Sequence, residues 1–170
     1  MKIKEKIIQA LFELMKIKEY KNIKITDIVK QAEVSRESYY RNFSSKEDII
    51  TQFLEKIKEE MLITESNSND ILKEDILLRS FEKSFNIIKK YDKEILLIYK
   101  ELPNYMLQEL FNEFIESFIG DMPNDSIEKY KLYYISGAGL NIMVKWVKNG
   151  EKESSKDMAK ACINFMKGII

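Results

Sequence analysis

Apolar residues recur at intervals of three and four positions along nearly the whole chain, and this periodicity restricts the fold more than any other feature. Such spacing places apolar side chains on one face of an α-helix. Only two prolines and five glycines interrupt the pattern, so few of the tight turns that join β-strands are expected. The sequence therefore predicts an all-α fold of about nine helices.

The predicted helices form a short N-terminal group and a longer C-terminal group. The polar residues 65–70 are the clearest break between them and are typical of a loop. We therefore expect an N-terminal head at 1–46, a connecting helix at 47–64 and a helical body at 65–170. The predicted helices lie at about 2–18, 25–32, 36–42, 45–63, 70–90, 92–102, 104–119, 126–149 and 155–169.

Two of these helices begin with a capping box, in which a serine and an acidic residue three positions later satisfy free backbone amides. Ser44 and Glu47 fit this pattern at the start of the connecting helix. Ser154 and Asp157 fit it at the start of the last helix.

The absence of histidine and the presence of one cysteine, Cys162, exclude several kinds of site. The chain cannot form a common zinc site, a Ser-His or Cys-His catalytic pair, or an intramolecular disulfide, and we expect no metal and no cofactor. No apolar run reaches the roughly 18 to 20 residues that span a bilayer, and residues 1–6 lack the apolar core of a signal peptide. A cytoplasmic protein without a membrane segment is therefore expected.

The net charge of zero hides an uneven distribution. Residues 1–46 carry 11 Lys and Arg against 6 Asp and Glu, a net charge of +5. Residues 47–170 carry 17 against 22, a net charge of −5. This asymmetry indicates contact of the basic part with a polyanion, although a merely solvated face gives the same imbalance.

Residues 24–46 have the clearest functional pattern. They form two helices of about two turns each, which are too short to be stable alone and need the first helix to pack on. This arrangement is typical of a helix-turn-helix, which inserts its second helix into the DNA major groove. The apolar positions are Ile28, Val29, Ala32, Val34, Tyr39 and Phe43, and the outward polar positions are Ser35, Arg36, Glu37, Ser38, Tyr40, Arg41 and Asn42.

The outward residue types suit contacts with DNA. Arg36 can reach guanine O6 and N7 or a phosphate, and Ser35 and Ser38 can bond phosphates or base edges. Tyr40 carries a hydroxyl within reach of the DNA backbone. Lys46 adds a positive charge beside the free amides of a helix start. A three-helix subdomain with a solvated polar face, and no DNA role, is the alternative.

The segment 20–50 resembles the N-terminal domain of the TetR family of bacterial transcriptional regulators. The resemblance rests on the runs ITDIV at 25–29, AEVSRESYYRNF at 32–43 and SSKEDII at 44–50. It implies a helix-turn-helix followed by an all-helical domain that dimerises and commonly holds a small effector. By position it implies major-groove contacts from residues 35–38 and phosphate contacts from Tyr40 and Lys46. The full predicted DNA-contact set is Lys24, Thr26, Ser35, Arg36, Glu37, Ser38, Tyr40, Arg41 and Lys46.

Three positions depart from the pattern of that family. Glu33 replaces the usual glycine of the turn, which suggests a turn that needs no positive φ angle. Glu37 replaces a small residue, and its carboxylate either accepts a hydrogen bond from cytosine N4 or pairs with Arg36 or Arg41. Lys24 replaces a capping hydroxyl residue and can itself reach a phosphate.

Residues 127–147 are apolar on more than one side, so this helix must be covered on more than one side. A second subunit is the candidate cover, and a well-buried helix within a monomer is the alternative. The resemblance implies a four-helix interface built from the last two helices of each subunit. Two-fold symmetry would place two recognition helices roughly 34 Å apart and predicts a pseudo-palindromic operator. The predicted interface residues are Tyr134, Gly137, Ala138, Asn141, Met158, Cys162 and Phe165.

Aromatic and methionine residues of the body are candidates to line an effector cavity, although core packing explains most of them equally well. The body has few charged candidates for an inner wall, so the expected effector is small and apolar or aromatic. The predicted pocket residues are Tyr99, Phe111, Phe114, Tyr133, Met143 and Trp146.

These observations together predict a dimeric repressor that a small effector releases from its operator. One alternative is a co-regulator or activator of the same type that a protein partner switches without a small ligand. The other is an all-α enzyme or interaction module with no DNA role. No spacing of paired carboxylates, or of a nucleophile and a base, supports an enzyme.

Overall fold

The computed structural model describes residues 2–62, 74–119, 127 and 129–167, with the side chains of 118 and 119 left aside. Apart from one 3-10 turn at Tyr20–Asn22, the regular elements in those residues are all α-helices, which confirms the predicted fold class. The helices are α1 Ile3–Met15, α2 Ile25–Ala32, α3 Arg36–Asn42, α4 Lys46–Met61, α5 Glu74–Lys90, α6 Asp92–Glu101, α7 Tyr105–Ile119, α8 Lys129–Lys148 and α9 Ser155–Met166.

The helix bounds follow the predictions closely where they can be compared. The predicted α2 and α3 match to the residue, because a cap and a turn bracket each of them. The first helix ends at Met15 and not near 18, since the amides of Lys16 and Ile17 bond to carbonyls three residues back and tighten the last turn. The predicted break at 65–70, and the predicted helix starts at 70 and 126, lie outside the described residues.

The head is a three-helix unit in which α1 packs across α2 and α3 and is covered by α4. Its core side chains are almost fully removed from water. They are Ile7, Leu11, Phe12, Ile28, Tyr39, Phe43, Ile49 and Ile50. This closed core supplies the stability that two-turn helices lack by themselves.

The turn between α2 and α3 corrects one expectation. Glu33 has φ 54° and ψ 45°, which is the left-handed region that the sequence was expected to avoid. The chain must reverse within three residues, and this conformation lets the amides of Glu33 and Val34 bond to the carbonyls of Lys30 and Val29. The turn therefore keeps the geometry that a glycine would normally provide.

The cap of α4 also differs from the expected one. Ser45, not Ser44, is the N-cap, and its hydroxyl oxygen accepts from the amide of Asp48 at 3.1 Å. The Asp48 carboxylate accepts in return from the amide of Ser44 at 2.7 Å. Phe43 is 1% exposed, and its insertion into the core fixes which of the two adjacent serines reaches the helix end. The expected cap of α9 is confirmed, because Ser154 accepts from the amide of Asp157.

In the body, α9 packs along α5 and α8 packs along α7. Trp146 of α8 lies edge-on against Phe85 with 5.2 Å between ring centroids, and its indole N–H donates to the carbonyl of Glu153. One stripe of α8 remains open to solvent, including Tyr130, Tyr134 and Ala138. None of the described helices is long and apolar enough to cross a membrane.

Several polar contacts tie the head and α4 to the body, including the following three. Lys58 of α4 pairs with Glu113 of α7 at 2.7 Å, and Glu60 of α4 pairs with Lys90 at 2.8 Å. The third contact joins α6 to the head, where a carboxylate oxygen of Glu101 accepts from the amide of Tyr20 at 3.3 Å. The connecting helix α4 is therefore shared by both regions.

Candidate functional site

Helix α3 presents two opposite faces. Tyr39 points inward and is fully buried, whereas Tyr40 is 58% exposed and stands edge-on against the Tyr39 ring. The predicted DNA contacts Ser35, Arg36 and Glu37 are exposed at the start of the helix. The helix therefore anchors itself with one tyrosine and leaves polar groups outside, as a recognition helix requires.

Ser35 is the N-cap of α3, which occupies part of its hydrogen-bonding capacity. Its hydroxyl oxygen accepts from the amide of Ser38 at 3.0 Å, and its hydroxyl donates to the Ser38 hydroxyl oxygen at 3.0 Å. At the other end of the helix, the Asn42 side chain donates to the Ser38 carbonyl at 2.7 Å. These bonds fix the backbone of a helix that is only seven residues long.

Glu37 and Arg41 form an ion pair one turn apart on the exposed face of α3. The guanidinium of Arg41 donates to the Glu37 carboxylate at 2.7 Å. Of the two partners considered for Glu37, the structure thus places Arg41 beside it. Arg36 makes no hydrogen bond or ion pair with any residue that the structure describes. Its guanidinium is the cation of α3 that remains free to bind a ligand.

Lys24 and Thr26 are exposed at the start of α2. Asp27 caps this helix by accepting from the Lys24 amide at 3.0 Å, so the missing hydroxyl is replaced by a carboxylate from within the helix. Lys18 donates to the same carboxylate at 2.7 Å. The hydrogen bond from Lys18 has the larger effect and the one from the Lys24 amide the next, and together they hold the pKa of Asp27 below its usual range. The Lys24 side chain itself stays in solvent.

Lys46 is engaged inside the protein, a role that the sequence pattern did not indicate. Its ammonium donates to the carbonyls of Tyr20 and Ile23 at 2.7 and 3.2 Å and lies 4.3 Å above the Tyr20 ring. The Tyr20 hydroxyl donates in turn to the carboxylate of Glu47. Burial and then the Glu47 charge raise the pKa of Tyr20. The structure thus joins Lys46 to the 3-10 turn, while its ammonium is half-buried.

The body contains an apolar cavity of about 70 Å³ between α5, α7, α8 and α9. Three predicted pocket residues line it, namely Phe111, Phe114 and Met143. The phenylalanines of α5 also line it, and no spacing distinguished them from ordinary core residues. The described residues that line it are Phe81, Ser84, Phe85, Ile88, Phe111, Phe114, Ile115, Tyr134, Ile135, Ala138, Gly139, Ile142, Met143, Cys162, Phe165 and Met166.

The other three predicted pocket residues lie elsewhere. Tyr99 is half-buried with the ammonium of Lys148 4.5 Å from its ring. Tyr133 is exposed on α8. Trp146 is buried in the core against α5. These three positions are thus separate from the cavity.

The predicted interface residues lie on α8 and α9, and most of them reach solvent. Tyr134 and Phe165 are each 63% exposed, and Ala138 and Asn141 are exposed as well. Gly137 and Met158 are half-buried. Cys162 is buried, and burial raises the pKa of its thiol to about 11. A stripe of apolar side chains is therefore uncovered in the single chain.

Comparison with family models gives two matches. Residues 7–53 match the model described as bacterial regulatory proteins, tetR family. Residues 75–168, more than half of the chain, match a TetR-type model described as transcriptional regulator C-terminal region. Comparison with curated protein sequences gives no significant match.

Solved structures show the same fold at low sequence identity. A TetR transcriptional regulator from Streptococcus agalactiae matches with a TM-score of 0.69 and 16% identity over 96% of this chain and 92% of that one. The dihydroxyacetone kinase operon activator DhaS matches with a TM-score of 0.68 and 16% identity over 99% and 96%. A TetR-family regulator from Syntrophomonas wolfei matches with a TM-score of 0.59 and 18% identity over 98% and 94%.

Proposed function

Because the chain belongs to the TetR family of bacterial transcriptional regulators, we propose that this DNA-binding protein acts as a homodimeric repressor released by a small apolar or aromatic effector. The observation that carries the DNA-reading part of the proposal is the outward face of α3. Arg36 is exposed there and has no partner among the described residues. A free guanidinium near a helix start can donate two hydrogen bonds to guanine O6 and N7.

The remaining predicted contacts divide into groups that read bases and groups that bind phosphates. Ser38 and Glu37 lie on α3 beside Arg36, and Glu37 can accept from cytosine N4 once Arg41 turns to a phosphate. Tyr40 offers an exposed hydroxyl to the DNA backbone. Lys24 and Thr26 offer further phosphate contacts at the start of α2. Lys46 adds positive charge at the turn that it stabilises.

The dimer part of the proposal rests on the uncovered apolar stripe of α8 and α9. Two-fold packing of this stripe, in which Tyr134 and Phe165 are each 63% exposed, would remove the exposed rings from water. The same symmetry places two copies of α3 in successive major grooves, roughly 34 Å apart. An operator with two inverted half-sites is the matching DNA sequence.

The effector part of the proposal rests on the apolar cavity and on the contacts between body and head. An effector that binds better to a body with splayed heads shifts the population away from the DNA-binding form. A shift from 1:99 to 99:1 requires about 5.5 kcal/mol of differential binding. Helix α4, which packs on α1, α5 and α7, links the cavity walls to the head.

The proposal is tested first by selecting DNA sequences with the purified protein and measuring affinity for the selected operator. We expect Arg36→Ala to weaken operator binding by roughly 1–3 kcal/mol and to relax the preference for one base pair in each half-site. Lys152→Ala removes an exposed positive charge from the body and serves as the matched control. Unchanged operator affinity of Arg36→Ala would remove that residue from base reading.

The sign of control is tested by transcription in a purified system. A repressor lowers transcription from a promoter that carries the selected operator, and a small apolar effector restores it. Activation of transcription, or a response only when a protein partner is added, would contradict the proposed mechanism and favour a co-regulator. The measurement is necessary because DhaS, whose solved structure has a similar fold, is named an operon activator.

A further inference from the structure

We infer that the apolar cavity of the body is a shared site, which the partner subunit closes, so that a small uncharged apolar molecule binds it more tightly in the dimer than in the single chain. This inference rests on the proposed dimer, and it adds that binding at the cavity and association of the subunits are coupled. In this inference, Tyr134 and Phe165 contact both the molecule in the cavity and the partner subunit.

The inner walls of the cavity determine the class of molecule that it accepts. Aromatic rings from α5 and α7 form much of the lining, including Phe85 and Phe111. Ser84 also lines the cavity, and its hydroxyl donates a hydrogen bond to the carbonyl of Ser80 at 2.9 Å. Burial keeps the Cys162 thiol neutral, because it raises the pKa of that group. The described residues that line the cavity carry no charged side chain, so the cavity selects an uncharged apolar occupant.

The open side of the cavity lies between α8 and α9. These helices pack on different partners, α8 on α7 and α9 on α5. Among the lining residues, the ones classed as exposed are Tyr134 and Ala138 of α8 and Phe165 of α9. All three belong to the predicted subunit interface. Whatever covers that interface therefore also covers the cavity.

Gly137 supplies independent evidence that the cover is another helix. A Cβ atom added at this glycine would meet nothing within 4 Å among the residues that the structure describes. A glycine inside a helix is destabilising, and nothing in this subunit requires it at that position. Close approach of a helix from outside gives it a function, since small residues let two helix backbones come near each other.

The exposed apolar residues favour a second copy of this chain as that cover. Of the nine large hydrophobic side chains exposed in the described part of the chain, five lie on α8, on α9 or just before α8. A self-complementary patch on two helices is the form that a two-fold interface takes. The five residues are Ile127, Tyr130, Tyr133, Tyr134 and Phe165.

The coupling has a definite sign. In a single chain, an occupant of the cavity keeps its outer side in water between Tyr134 and Phe165. In the dimer the partner covers that side, which buries more apolar surface and strengthens binding. Because coupling is reciprocal, each occupied cavity must strengthen the dimer by the same factor.

Xenon is a suitable probe, because it binds dry apolar cavities without hydrogen bonds. Xenon NMR under pressure measures its affinity, and diffusion NMR in the same tube measures the fraction of dimer. Wild type is compared at protein concentrations above and below its dimer dissociation constant, which needs no variant. Gly137→Arg places a charged side chain in the proposed interface and is expected to give a folded single chain, because an added Cβ atom there meets none of the described residues within 4 Å. Asn86→Arg on the exposed side of α5 is its control. Cys162→Leu fills the cavity.

We expect the xenon affinity to be several-fold lower for dilute wild type and for Gly137→Arg than for the wild-type dimer. Xenon should raise the dimer fraction of wild type and of Asn86→Arg, and it should have no effect on Cys162→Leu. Equal xenon affinity in dimer and single chain, or a dimer fraction that xenon lowers or leaves unchanged, overturns the inference while the proposed dimer stands. A wild-type chain that stays single at every concentration overturns the proposed dimer as well.

Discussion

The head and the body leave different kinds of groups unsatisfied. In the head, the core is closed around side chains such as Ile7, Leu11 and Ile28, which have no exposed surface. The exposed side chains of α3 are mostly polar and include those of Arg36 and Glu37. In the body, the core contains an apolar cavity of about 70 Å³, and rings such as Tyr134 and Phe165 stand in solvent. The head is therefore complete as a packed unit, whereas the body is not.

This difference explains which partner each region suits. Free guanidinium and hydroxyl groups on a rigid helix match the hydrogen-bonding edges of bases and the phosphates of DNA. Exposed rings beside an unfilled apolar space match another apolar surface. The polar bonds inside the head have a different function, because they hold short helices in place so that the outer groups are correctly oriented.

The largest expected effect on stability is that of substituting Lys46, which tests whether internal polar bonds stabilise the head. If the head depends on internal polar bonds, Lys46→Ala should lower the free energy of unfolding by about 1.5–3 kcal/mol, because charged donors to the carbonyls of Tyr20 and Ile23 are lost. Lys56→Ala on the same helix is the control. Its ion pair with Glu60 is long, at 3.9 Å, and its ammonium lies 5.5 Å from the Tyr91 ring centroid, so its loss should cost no more than about 1 kcal/mol. Urea unfolding measures both. If Lys46→Ala weakened DNA binding and left stability unchanged, Lys46 would be a phosphate ligand alone.

A smaller effect tests the turn that shapes the head. Glu33→Gly should stabilise the protein by about 1 kcal/mol, because glycine adopts the left-handed conformation without the clash of a Cβ atom. Gln31→Gly, two residues earlier inside α2, should destabilise by about 1 kcal/mol, since glycine is unfavourable in a helix. Thermal unfolding of the two variants should therefore shift in opposite directions. A lower melting temperature for Glu33→Gly would show that the Glu33 side chain contributes more than its backbone costs.

The smallest effect compares two buried tyrosines of the head. The Tyr39 hydroxyl is buried and has no hydrogen-bond partner in the described part of the chain, and burial raises its pKa to about 12. Tyr39→Phe should therefore change the free energy of unfolding by no more than about 0.5 kcal/mol. Tyr20→Phe removes the bond to Glu47 and should cost about 1 kcal/mol. If Tyr39→Phe lowered the free energy of unfolding by more than about 1 kcal/mol, the Tyr39 hydroxyl would have a hydrogen-bond partner in the folded head.

Local features of the fold could be read from the sequence, whereas features that depend on distant contacts could not. The bounds of α2 and α3 follow from the spacing of apolar residues, which involves only neighbours in the chain. The choice between Ser44 and Ser45 depends on how Phe43 enters the core, and the sequence offers both serines. The left-handed Glu33 was missed because glutamate rarely adopts that conformation.

In the candidate site as well, features set by neighbouring residues were predictable from the sequence, and contacts between distant residues were not. The outward face of α3 follows from helical spacing, so the exposed positions of Arg36 and Tyr40 were predictable. The attachment of Lys46 to Tyr20 joins residues 26 positions apart, and the pattern of neither segment indicates it. Aromatic composition identifies apolar residues and cannot distinguish a packed ring from one beside an empty space. For this reason Trp146 was placed in the pocket and Phe81 was not.

Tyr20 is held from two directions. Its amide donates to Glu101 of α6, and its carbonyl accepts from Lys46 of α4. The backbone of Tyr20 thus connects α6 to α4. If α6 slides relative to α4, either a bond at this residue breaks or the segment ahead of α2 follows the movement. The helix that begins only a few residues later holds Thr26, a proposed contact to the DNA backbone, so displacement of the body would reach the proposed DNA interface over a very short length of chain.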